Sequence, residues 1–154
     1  MIEKKLQALG ITLPPAPQPV ASYVPAVEAG SLLFVSGQLP FRDGALLHTG
    51  RVPDVVTAAE AQEAARQCLI NALAVAREYL TSLDRVARVV RLSGFVASTP
   101  DFYQQPAVIN GASDLLEAIF GAAGKHSRIA VGVASLPLNA PVELDLILHI
   151  QGES

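Results

Sequence analysis

Apolar positions along the chain change their period several times, and each change marks an element. In IEKKLQAL (2–9), Ile2, Leu6 and Leu9 fall at helical spacing and Gly10 supplies a stop, which predicts a short amphipathic helix. TLPPAPQP (12–19) holds no regular element. Its four prolines remove four N–H donors and bias their predecessors to extended backbone, so it reads as an arm reaching across the surface. From Tyr23 the pattern turns strand-like. VPAVEAG (24–30) and SLLFVSG (31–37) meet at Gly30 and predict a hairpin. Residues 39–57 carry the turn signals Asp43-Gly44, Gly50 and Pro53 with one apolar pair, Leu46-Leu47, and read as a loop with room for a short strand.

Thr57 to Leu80 is the clearest helix. Thr57 and Glu60 form a capping box, and Ala61, Ala65, Leu69, Ala72, Ala76 and Leu80 share one face, with Cys68, Leu73 and Val75 beside it. VARVVRLSGFVAS (86–98) is a strand with apolar residues on both faces, interrupted by Arg88 and Arg91. A second helix is expected over about 106–120, with Leu115, Leu116, Ile119 and Phe120 inward. The order ββ–α–β–α–ββ predicts an α+β fold: one sheet with two helices on one face, in a single domain over 1–154 preceded by the helix and arm of 1–22. The other sheet face then needs cover, and copies of the same chain can supply it.

The chain closes on IAVGVAS and VELDLILHI, read as a second hairpin across the turn near Leu138-Asn139. In the first strand Ile129, Val131 and Val133 share a face while Arg128, Ala130 and Gly132 take the other. In the second, Val142, Leu144, Leu146, Leu148 and Ile150 oppose Glu143, Asp145, Ile147 and His149. On that register Arg128 and Glu143 lie roughly 20 Å apart, at ~3.3 Å per residue, too far to touch within one chain. They can meet across a boundary between copies.

Composition sharpens this. The 154 residues are 51% hydrophobic and only 16% charged, against the ~25% charged of an average domain. Such a chain either has an unusually complete core or buries surface against itself, and the second is favoured. The net charge of −3 and the absence of a basic run argue against a nucleic-acid binder. A lone cysteine, Cys68, excludes an intramolecular disulfide and fits a reducing compartment. The N-terminus has no apolar signal-peptide core, and no apolar run approaches the ~20 residues that span a bilayer, so a cytoplasmic protein is expected.

Candidate chemistry is sparse. No HxH, HExxH, CxxC, GxSxG, P-loop or GxGxxG pattern occurs, so neither a metal nor an organic cofactor is expected. Cys68 reads as a small buried hydrophobe, and Asn71 as a structural hydrogen-bonder in an apolar helix. Arg128 and Glu143 remain. By pattern they are a strand-end charge and a rim residue. By chemistry they are a two-point carboxylate clamp and a group that handles a water or a proton. Gly37, after Ser36, allows backbone to approach a ligand closely.

Several segments together resemble the Rid family, also called the YjgF or L-PSP endoribonuclease family. They are Tyr23–Ala26 with Gly30, FVSGQLP (34–40), ARQCLINAL (65–73), RVVRLSGFV with Asp101-Phe102, Asn110, SRIAVGVASLP and VELDLIL. The resemblance implies a chorismate mutase-like fold, a homotrimer whose sheets form a barrel, and clefts between subunits. It implies hydrolysis of reactive enamines and imines to 2-keto acids and ammonia. In that pattern Arg128 binds a small substrate's carboxylate and Glu143 holds the attacking water. Tyr23, Ser36, Gly37, Asn110 and the Ala130 backbone complete the pocket. Where the family carries Pro-Ala-Arg, this chain carries His-Ser-Arg at 126–128, and its N-terminal helix and arm are additional. The rival readings are a non-catalytic binder of small carboxylates or of a protein partner, an endoribonuclease, and a chorismate mutase by fold analogy.

Overall fold

The computed structural model describes residues 1–19 and 21–152; Val20 of the expected arm and the last two residues lie outside it. Helix α1 (Ile2–Ala8) precedes the arm. Strands β1 (Ala26–Ala29) and β2 (Leu32–Gln38) form the expected hairpin. The region expected as a loop holds β3 (Phe41–Arg42) and β4 (Ala45–Leu46). They are joined at Asp43-Gly44, where both residues adopt positive φ, as a two-residue hairpin requires. Helix α2 (Ala58–Leu80), β5 (Val86–Ala97), α3 (Gln105–Phe120), β6 (Ser127–Val133) and β7 (Val142–Ile150) follow.

The capping box forms as expected. Glu60 N–H donates to Thr57 Oγ1 at 3.1 Å and Thr57 N–H to Glu60 Oε1 at 3.0 Å. α2 is buried almost all round from Gln67 to Ala76. The sheet covers one side, and the arm runs along another, burying Ile11 and Leu13. A concavity of about 820 Å³ lies between the arm, the β3–β4 hairpin and α2, lined in part by Pro14, Arg42, Arg66 and Ile70.

Five strands form one mixed sheet in the order β1-β2-β7-β5-β6. The fold is α+β, with α2 and α3 on one face of the sheet. The expected hairpin of the last two strands does not form. β5 lies between them, parallel to β6 and antiparallel to β7. The cause is the connection. Residues 134–141 are longer than a tight hairpin turn, and they carry the chain past the end of β5, where Val96 pairs with both Gly132 and Val142.

Gly94, in β5, lets α3 settle on the sheet. A Cβ there would stand 2.6 Å from Ile109 Cδ1, so any side chain would force Ile109, on the helix that carries Asn110, to shift. The inner face of β7 is wholly apolar and buried, from Val142 to Ile150. The outer face is uncovered in the single chain. It presents Val27 (50% exposed), Phe34 (41%) and Ile129 (41%) around Arg91, Ser93, Glu143 and Asp145.

Candidate active site

The seven residues singled out above fall into two groups at opposite sides of the sheet. Tyr23, Ser36, Gly37 and Glu143 gather where β1, β2 and β7 meet. Asn110, Arg128 and Ala130 gather where α3 lies over the edge strand β6.

The first group is built by an irregularity in β2. Between Val35 and Gln38 the strand gains a residue against β7, pairing Val35 with Leu146 but Gln38 with Leu144. Such a bulge re-aims side chains. Ser36 Oγ donates to the Val24 carbonyl at 2.7 Å and Ser36 N–H to that of Pro25 at 2.9 Å, which ties the Tyr23 segment to the bulge. Tyr23 stands 51% exposed beside it. Gly37 leaves space that the Glu143 carboxyl fills: a Cβ on Gly37 would lie 3.2 Å from Glu143 Cδ and 3.3 Å from Oε2.

Glu143 is half-buried and, among the described residues, its carboxylate has no hydrogen-bond or ion-pair partner. Burial first, and the charge of Asp145 second, push its carboxyl above the ordinary range. A carboxylate so placed is a candidate acid or base, because its surroundings favour taking up a proton.

The second group is built on Arg128. Its Nη1 donates to Asn110 Oδ1 at 2.8 Å and Ser113 Oγ at 3.0 Å, and its Nη2 to the Pro106 carbonyl at 3.2 Å. A guanidinium has five N–H donors. Three are engaged, leaving Nε–H and one Nη2–H, enough for a two-point clamp on a carboxylate. Asn110 lies in the second turn of α3, and from there its amide oxygen reaches β6. Ala130 is half-buried on the same strand face. Its strand is a sheet edge, where alternate backbone groups are left without a strand partner.

Register separates the two groups. Arg128 pairs with the core-facing Leu92, and Glu143 with Phe95 on the uncovered face. The backbone positions are three residues and two strands apart, about 14 Å, and the side chains leave opposite faces. None of the seven residues lines the concavity beside the arm. In one chain the candidate site is two open half-surfaces.

A model of the family described as "YjgF/chorismate mutase-like, putative endoribonuclease" matches residues 3–150. The chain belongs to the YjgF (Rid) family. Similar proteins span nearly its whole length. Protein TCP17 of Trypanosoma cruzi is 45% identical over 150 residues, 97% of this chain and 94% of that one. The 2-iminobutanoate/2-iminopropanoate deaminase of Dermatophagoides farinae is 32% identical over 141 residues, 92% of this chain and 95% of the relative. Among crystal structures, a protein of unknown function from Agrobacterium tumefaciens aligns with TM-score 0.89 at 48% identity, covering 97% of this chain and 91% of its own. A "putative endoribonuclease" from Shewanella oneidensis aligns with TM-score 0.94 at 33% identity, covering 97% and 99%. The chorismate mutase-like fold is therefore that of this Rid-family chain.

Other polar residues of the chain resolve into structural roles. Asn71 donates to the carbonyls of Leu39 and Phe41 at 2.9 Å each and accepts from Gln67, pinning the segment after β2 to α2. Cys68 is fully buried, its thiol directed at the Val142 carbonyl 3.7 Å away. Burial, then the charge of Glu143, push that thiol well above its ordinary value, the setting of an inert structural cysteine. Among the described residues no cluster of three His, Cys, Asp or Glu could hold a metal, and no helix is long and apolar enough to cross a membrane. Sequence reasoning missed Ser113 and the role of His126, both bonded into the Arg128 network. The one available signal was the spacing of Asn110 and Ser113, three apart and hence on one helix face.

Proposed function

We propose that this chain hydrolyses small 2-imino acids to 2-keto acids and ammonia, in a cleft completed by a second copy of itself. The observation that carries the proposal is the division of the site. Among the described residues, one half offers a guanidinium with two uncommitted donors, and the other a half-buried carboxylate without a partner. Neither half suffices alone, and the uncovered apolar sheet face gives copies a reason to associate. The assembly that fits the family resemblance is a trimer. The deaminase relative from Dermatophagoides farinae, alike over almost its full length, supports the reaction class.

The chemistry follows from the residues. Arg128 holds the substrate carboxylate through its Nε–H and free Nη2–H, which fixes the imine carbon. Glu143 of a neighbouring copy accepts a proton from water as the oxygen attacks that carbon, giving a carbinolamine. The protonated Glu143 then returns the proton to nitrogen. As the C–N bond breaks, Glu143 takes the hydroxyl proton, the carbonyl of the keto acid forms, and the departing ammonia carries that proton off as ammonium. The protonated imine is electrophilic enough that positioning and acid–base help, the latter typically ~10²–10⁴-fold, account for the acceleration. A ribonuclease reading draws no support from a net charge of −3 and scattered lysines and arginines.

The test generates 2-aminoacrylate, or an imine from an amino-acid oxidase, and follows its decay. Wild type should accelerate decay and release ammonia, while Arg128→Ala should not. Absence of acceleration across small and bulky imines overturns the proposal and leaves a binder of small carboxylates.

A further inference from the structure

Arg128 is braced from behind by a chain of hydrogen bonds whose directions are forced. His126 Nδ1 lies 2.6 Å from the Gly124 carbonyl oxygen, which can only accept. Nδ1 therefore carries the ring proton, and in the neutral imidazole Nε2 is left as an acceptor. Ser113 Oγ stands 2.9 Å from Nε2, so its hydroxyl hydrogen points at His126. The serine oxygen then turns its lone pairs outward, and one receives Arg128 Nη1 at 3.0 Å. With the ring neutral, an obligatory acceptor terminates one end of the chain and an obligatory donor the other, so one set of directions satisfies every link. A protonated His126 breaks that arrangement. Both ring nitrogens would then donate, and imidazolium and guanidinium would converge on one hydroxyl.

We propose that Ser113 and His126 are positioning residues that set the orientation of the Arg128 guanidinium. With both Nη1 hydrogens held by Asn110 and Ser113, the Nε–H and remaining Nη2–H are presented to a substrate carboxylate in one orientation. This rests on reading Arg128 as a carboxylate clamp. Burial does not demand the network. Ser113, His126 and Arg128 are all partly exposed, and water could satisfy each of them. What the network adds is direction. It also gives a use to the His-Ser-Arg at 126–128: the residue two before Arg128 is the one that turns the serine.

Two measurements test this. Nitrogen-15 NMR of histidine-labelled protein at mildly alkaline pH, without ligand, should find His126 in the Nδ1–H tautomer. Ser113→Ala should move the Nε2 resonance with the fold unchanged. Titration with 2-oxobutanoate, a product-class keto acid, should give a Kd about 10-fold weaker for Ser113→Ala and for His126→Phe than for wild type. In turnover KM should rise by a similar factor with kcat little altered, and Ser113→Thr, which keeps the hydroxyl, should restore most of the loss. An Nε2–H or averaging His126 overturns the relay whatever the ligand result, as does equal affinity in wild type and both variants. A wild type that binds no keto acid overturns the clamp reading instead, and the tautomer still decides whether the relay exists.

Discussion

Arg128 and Glu143 stand on opposite faces of one sheet, with β5 between their strands. No side-chain rotation brings them together, because strand residues alternate faces and the sheet itself intervenes. A carboxylate clamp and a water-handling carboxylate that are to act on one molecule must come from different copies. Each half is also prepared separately. α3 holds the guanidinium, and the β2 bulge shelters the carboxylate.

The clamp depends on guanidinium shape as well as charge. Arg128→Lys keeps the charge but has neither the fork that reaches Asn110, Ser113 and Pro106 together nor two parallel free donors. We expect kcat/KM for 2-imino acids to fall by about 10²-fold, the equivalent of one lost charge-assisted bidentate contact. Steady-state kinetics check this, and near wild-type turnover by the lysine variant contradicts it.

Gly37 is needed for what stands beside it. Its φ is not in the left-handed region, so alanine fits the backbone, but the new Cβ would press on Glu143 Cδ at 3.2 Å. Gly37→Ala should leave Tm within a few degrees of wild type and lower kcat about 10-fold or more, since small misplacements of a catalytic group are costly. Glu143→Gln should cost less in this background than in wild type, because part of the carboxylate's contribution is already lost.

Much of this arrangement was legible in the residues, and the exceptions have causes. The capping box, the alanine face of α2 and the alternation in β7 are local, and they appear where the pattern put them. The faces within β6 and β7 were also right. Their adjacency was not, because two apolar strands joined by a proline-bearing turn look like a hairpin, while β5, some thirty residues earlier, competes for the same edges. That competition is non-local, decided by α3 returning the chain parallel to β5. The bracing of Arg128 was hidden for a related reason: Ser113 and His126 sit on different elements, and only the fold makes them neighbours.

Asn71 tests the structural side. It is 1% exposed and supplies the amide that satisfies the Leu39 and Phe41 carbonyls. Asn71→Ala leaves both carbonyls and Gln67 without that partner. We expect a loss of about 2–4 kcal/mol, read as a lower midpoint in urea with the m-value retained. A change below about 0.5 kcal/mol would mean that water replaces the amide at little cost.

Glu143 carries a pH prediction. Its carboxyl takes up a proton above the ordinary value near 4.5, chiefly because it is buried and secondarily because Asp145 is close. Only the ionised form accepts a proton from water, so kcat should decline as pH falls through that raised value. The acid limb is therefore displaced upward from the ordinary carboxylate value. In the substrate complex the bound carboxylate offsets the charge on Arg128, so kcat, rather than kcat/KM, reports the shift. A limb at or below 4.5 would assign the base to another group.

The division of the site between copies is the central claim, and subunit complementation tests it most directly. Arg128→Ala and Glu143→Gln chains should each form inactive assemblies. When the two are co-expressed under different tags and the mixed species isolated, some clefts join an intact Arg128 from one chain to an intact Glu143 from another. In a cyclic trimer every mixed assembly, of either composition, has one intact cleft in three, so about a third of wild-type activity should return. Mixed assemblies as inactive as their parents would contradict a shared site.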